Sequence, residues 1–219
     1  MLADGRRARL IGLGGPVTAP LLSRIAEQMA DAAAAVTAFW GPGWPREITV
    51  VASATDEQFH SLVGFGPDTA AATTDERIVF APGATSMNPA ALRIVLRHEL
   101  FHYAARSVTA ADAPRWLTEG VADFVARPAG PPPAPHSTLT QLPTDAALEA
   151  VGPERSLGYD QAWWFTRYVA DRYGTPALRA LYLRACGPGH PDVATAVRET
   201  LGAGLPEVLD GWRHWRALA

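Results

Sequence analysis

Two histidines four positions apart in one apolar stretch constrain this chain more than anything else in it: His98-Glu99-Leu100-Phe101-His102. Residues at that spacing share a face when the backbone is helical. The segment is therefore expected to be a helix, and its ends can be sought around it. Asn88-Pro89 predicts the start, since Asn can cap and Pro suits the first helical position without needing its missing N–H. The helix is expected to run to about Arg106, with Leu92, Val95, Leu96, Leu100 and Tyr103 as the apolar positions that bury it. Both imidazoles can then reach one ion. Glu99, one step round the helix, flanks that ion instead of binding it, which is where a carboxylate must stand to take a proton from water.

Composition narrows what the ion and the chemistry can be. Cys186 is the only cysteine, so no internal disulfide and no thiolate cluster can form, and a metal must use His and carboxylates. All 19 basic residues are Arg, which removes lysine nucleophiles and Schiff bases. Against 22 acidic residues they leave a net charge of -3, no footprint for nucleic acid and no basic run for an anionic membrane. With 48% hydrophobic and 19% charged residues the profile is that of an ordinary soluble globular chain. Arg6, Arg7 and Arg9 precede an apolar stretch, Leu10 to Leu13, that is too short for a signal-peptide core. No segment reaches the roughly 18 to 20 apolar residues of a membrane span. As written the chain is expected to be cytoplasmic, and extracytoplasmic or membrane-tethered if an upstream segment precedes it.

The pattern around the motif predicts an α+β arrangement. Arg9 to Leu13 and Glu47 to Ala52 read as short strands, with a long amphipathic helix from Thr18 to Trp40 between them. Thr55 opens a short helix through Val63, and Thr73 to Ala81 contains a third extended run around Ile78-Val79-Phe80. After the motif helix a second helix is expected from near Pro114 to Pro128, then a proline-rich connector over 128–157 that is a lid or a plain link. Helical periodicity returns at Tyr159 to Tyr173, Pro176 to Ala185, Val193 to Leu201 and Leu205 to Leu218. The organisation is thus one domain over 1–219: an α/β part at 1–87, metal-site helices at 88–127, the connector, and a helical part at 158–219. Trp163, Trp164, Phe165 and Tyr168 are expected in the core of the last part and Cys186 as a buried small apolar residue, with His60, His190 and His214 on the surface.

A hydrolytic zinc site wants three protein ligands and one open position. The downstream candidates for the third are Asp112, Glu119, Asp123, His136 and Asp145. Glu119 lies in Pro114-Arg115-Trp116-Leu117-Thr118-Glu119-Gly120-Val121-Ala122-Asp123, an apolar helix in which an acid is costly unless it pairs or coordinates, and this favours it. A metzincin would need Gly and His where Ala105 and Val108 stand, and a deformylase-like site a cysteine before the motif.

H-E-x-x-H followed by Glu in P-x-W-L-x-E-G-x-A-D resembles the gluzincin metallopeptidases, and most resembles the small bacterial peptidase MA-like domains. Trp44-Pro45, Ala72-Thr73-Thr74, Arg97 to Arg106 and Tyr159-Asp160-Gln161-Ala162-Trp163 share in that likeness, which covers most of the chain. It implies a zincin-like fold, zinc held by His98, His102 and Glu119, Glu99 as general base, and a peptide or protein as substrate. It further implies that Asp123 hydrogen-bonds a ligand imidazole and that Tyr159, at the start of its helix, donates to the developing oxyanion, with His136 as the competitor. The Ala72 to Phe80 strand is, by the same likeness, the sheet edge along which an extended peptide adds. Two other functions remain open on sequence alone: an inactive binding or scaffolding module of the same fold, and a zinc hydrolase of a non-peptide amide or ester.

Overall fold

The computed structural model describes residues 1–64, 69–131 and 138–215. The chain forms two compact units, Met1–Arg106 and Ser107–Ala219. Among the described residues no helix is long and apolar enough to cross a membrane.

The first unit is a four-stranded mixed sheet in the order β1-β2-β4-β3 with three helices. β1 (Arg7–Gly12), β2 (Glu47–Ala52) and β4 (Ile78–Phe80) are parallel, and β3 (Ala71–Thr73) closes one edge antiparallel to β4. Parallel strands need a crossover. α1 (Ala19–Trp40) supplies it between β1 and β2, and α2 (Asp56–Val63) lies between β2 and the β3–β4 hairpin. Side chains alternate across the sheet, so the row Ala72–Val79–Val51 faces one way, where Phe59 of α2 packs on it. Gly12, paired with Ala52, faces the other way, and a Cβ there would strike Thr18 Oγ1 at 2.3 Å. α1 can lie that close to the sheet because Gly12 has no side chain.

α3 (Pro89–Ala105) carries the histidine motif and packs along α1. Its start is as the sequence predicts: Asn88 Oδ1 accepts the Ala91 N–H at 2.9 Å and Pro89 stands at the first position. Leu92, Leu96, Leu100 and Tyr103 are buried as expected, Val95 is only half-buried, and Phe101 is a further large apolar side chain in the core. The Phe101 ring meets Trp40 edge-on at 5.5 Å and Phe39 at 5.9 Å. Rings in such edge-to-face contact add to the area they bury.

The second unit is helical: α4 (Arg115–Ala126), α5 (Asp145–Glu149), α6 (Pro153–Tyr173), α7 (Thr175–Cys186), α8 (Val193–Leu201) and α9 (Leu205–Arg213). α4 and α6 cross at Gly120, where a Cβ would stand 2.6 Å from the Ala162 carbonyl oxygen. Thr166 Oγ1 stands at the crossing, 2.9 Å from the Gly120 carbonyl oxygen and 2.8 Å from that of Trp163, and shares its one proton between them. Phe165 joins Trp116 and Trp212 edge-on, at 5.2 Å and 5.3 Å. Trp164, Tyr168 and Cys186 are buried as expected, while Trp163 is half-buried.

Four sequence expectations are corrected. The extended run around Ile78-Val79-Phe80 is β4, but the Ala72 to Phe80 strand expected as one sheet edge is a hairpin, because Thr74 Oγ1 accepts the Arg77 N–H at 3.2 Å and turns the chain between β3 and β4. Only β3 is therefore an edge strand. α6 begins at Pro153, where Gly152 at φ 68° makes the entry turn, so Tyr159 is in the second turn of its helix and not at its start. The connector over 128–157 holds α5 and the first residues of α6, and α9 stops at Arg213. Residues 132–137, including His136, lie outside the described residues, as do 216–219.

Candidate functional site

In the first unit α3 places His98 and His102 one above the other. Both are half-buried, their ring centroids are 4.8 Å apart, and their Nε2 atoms stand 3.1 Å apart. Two donors about 2.0–2.1 Å from one tetrahedral zinc would be separated by about 3.3 Å, so this pair fits a shared ion closely. In the metal-free pair the same distance suits one ring N–H donating to the other ring's lone pair. The donor types fit zinc as well, since neutral imidazole is among its preferred ligands.

Glu99, between them in sequence, is 8% exposed. Its carboxylate is held: Thr73 Oγ1, on β3, lies 2.7 Å from Glu99 Oε2 and 2.9 Å from the Glu99 carbonyl oxygen. Arg106, following α3, donates Nε to the Asp75 carbonyl at 2.7 Å in the turn of the same hairpin, and its guanidinium stacks on the Tyr103 ring at 3.8 Å. Edge strand and motif helix are thus joined at two points.

In the second unit Glu119 and Asp123 occupy one face of α4, with Asp123 buried and Glu119 half-buried. The Tyr159 hydroxyl hydrogen-bonds Glu119. Burial first, and then the Glu119 charge, push the Tyr159 pKa well above its usual value, while Arg155 and Arg115 work against the rise. Asp123 Oδ2 is 2.6 Å from Arg127 Nη2, and Arg127 Nη1 donates to Asp160 Oδ1 at 2.6 Å. The Arg127 guanidinium also stands 5.1 Å from the centre of the Trp163 ring. Of the other acids weighed as a third ligand, Asp112 is 86% exposed in its side chain beside His190, and Asp145 sits exposed in the first turn of α5. His60 and His214 are exposed as expected, and His190 is half-buried.

Sequence reading missed Thr73 as a partner of Glu99, and Arg127 as the partner of Asp123 and Asp160. The likeness takes in Thr73, but nothing in the sequence gives it this role, which depends on the strand register. Gly120 did carry a signal: glycine inside a helix costs about 1 kcal/mol relative to alanine and calls for a packing reason. The chain matches no family model, no curated protein and no solved structure.

Proposed function

We propose that this chain is a zinc-dependent metallopeptidase of gluzincin type, acting on peptide or protein substrates, with a zincin-like fold. The observation that carries the reading is the pair of imidazole nitrogens 3.1 Å apart on α3 with a buried carboxylate between them in sequence. His98 and His102 would hold the ion, with Glu119 as the third ligand, chosen on the sequence argument that an acid in so apolar a helix must pair or coordinate. Zinc would supply a Lewis acid that polarises a carbonyl oxygen and lowers the pKa of water.

The chain's own residues would do the rest. Glu99 takes a proton from the attacking water on the carboxylate oxygen that Thr73 does not hold, Oε1, and returns one to the leaving amine. Tyr159 Oη donates to the developing oxyanion. Asp123 steadies a ligand imidazole and so fixes its orientation. β3, the antiparallel edge of the sheet, offers main-chain groups to an extended peptide.

The test is digestion of a peptide library by purified protein, with zinc, with a chelator, and with the Glu99→Gln variant. Cleavage that the chelator stops, and that Glu99→Gln loses while still binding zinc, is the expected outcome. Undiminished hydrolysis by Glu99→Gln would refute its role as base.

A further inference from the structure

Glu99 is tied to the sheet, and the mechanism above draws on that tie only through the choice of oxygen. Register decides which residue makes it. Thr73 pairs with Ile78 and Ile78 with Val50, while Ala72 pairs with Val79 and Val79 with Val51. Alternation therefore sends Ala72 to the layer beneath α2 and Thr73 to the opposite face, where it meets α3.

A threonine hydroxyl carries one proton and can serve only one acceptor at a time. Of its two neighbours, Glu99 Oε2 at 2.7 Å is at the distance of a charge-assisted O–H to carboxylate bond, whereas the Glu99 carbonyl at 2.9 Å is at that of an ordinary neutral one. With Glu99 ionised the proton belongs on the Oε2 bond. That bond restrains a carboxyl group which otherwise turns about three side-chain torsions, and it leaves Oε1 as the oxygen that Thr73 does not hold. Arg106, bonded to the Asp75 carbonyl, holds the far end of the same hairpin to the helix.

We propose that Thr73 is a positioning residue for the hydrolysis: its hydroxyl aims Glu99 and couples the base to the strand on which the peptide lies. The inference rests on the reading of Glu99 as the base. A peptide paired to β3 is registered against the residue that holds the base, so one side chain sets both positions.

The experiment compares zinc-loaded wild type, Thr73→Val, Thr73→Ser and Glu99→Gln on a peptide cleaved in the library digest, with zinc affinity and melting temperature measured for each. Thr73→Val keeps the shape and loses the hydroxyl. Its kcat is expected to fall about 10- to 100-fold with KM within about twofold. Thr73→Ser should stay within about threefold of wild type, and zinc affinity and melting temperature should not move. In the metal-free protein, amides of residues 71–77 should exchange faster in Thr73→Val than in Thr73→Ser. Wild-type kcat in Thr73→Val, with Glu99→Gln inactive, overturns the role of Thr73 and spares the base. Equal losses in the Val and Ser variants, or a loss confined to KM, assign Thr73 to holding the strand and also overturn it. A wild type without zinc-dependent hydrolysis, or a Glu99→Gln as active as wild type, overturns the reading beneath it. Should Thr73→Val lose its melting transition, Thr73→Ala takes its place with the same expectations.

Discussion

The two units secure their acidic groups by different means. In the first, Glu99 is buried at 8% exposure and its carboxylate is held by the hydroxyl of Thr73, a residue from a neighbouring strand. In the second, Glu119 is half-buried on a helix fixed by backbone proximity: α4 meets α6 where a single added carbon at Gly120 would stand 2.6 Å from a carbonyl oxygen. Around it the acids are balanced in pairs, Asp123 and Asp160 by Arg127 and Glu119 by the Tyr159 hydroxyl. On the proposed function, a base must keep one oxygen available to water, so a single directional bond suits Glu99, and a ligand carboxylate must keep its place when an ion arrives, so a rigid helix crossing suits Glu119.

Gly120→Ala tests the second device with the largest expected effect on stability. The nearest atoms are backbone and cannot turn aside, so the substitution should cost about 1–3 kcal/mol in urea unfolding. Faster amide exchange should be concentrated in α4 and α6. Exchange raised equally throughout α1 and α3 would mean that the crossing is not a device local to the second unit. Asp123→Asn sharpens the contrast next. It should lower zinc affinity about ten- to a hundredfold if the carboxylate steadies a ligand imidazole. Unchanged affinity in a metal titration would leave Asp123 with its ion pair to Arg127 alone.

At neutral pH the smallest effect is expected of Cys186, whose contribution shows only in alkali. Burial pushes the Cys186 thiol up to about 12. In the unfolded chain a thiol titrates near 8.5, so between these values the unfolded state holds fewer protons than the folded one. Stability should therefore fall as pH rises through that window and be unaffected below it. Cys186→Ala should flatten the slope in pH-dependent melting, and at neutral pH the folded protein should resist alkylation at Cys186.

Local signals made the elements legible. Glu47–Ala52 and Val193–Leu201 fall where periodicity places them, and Asn88-Pro89 marks the start of α3. Local signals masked by their surroundings, and those that depend on non-local pairing, did not show. The Thr74 turn was hidden inside a run that reads as one strand, since a threonine is at home in strands as well as in turns. The start of α6 was hidden because Gly152-Pro153 follows a proline-rich stretch and reads as more loop. The histidine pair was legible because helical spacing alone sets its geometry, and Asp123 shares a helical face with Glu119 for the same reason. Thr73, on a strand whose register only the folded sheet defines, was not.

Zinc affinity of Glu119→Ala, measured by competition with a chromophoric chelator beside wild type and with melting curves for both, tests the central claim most directly. A metal held by two imidazoles and one carboxylate predicts one equivalent bound tightly by wild type and at least about a hundredfold weaker binding by the variant, with the fold intact. A full equivalent retained by Glu119→Ala at unchanged affinity would contradict it and move the third ligand elsewhere.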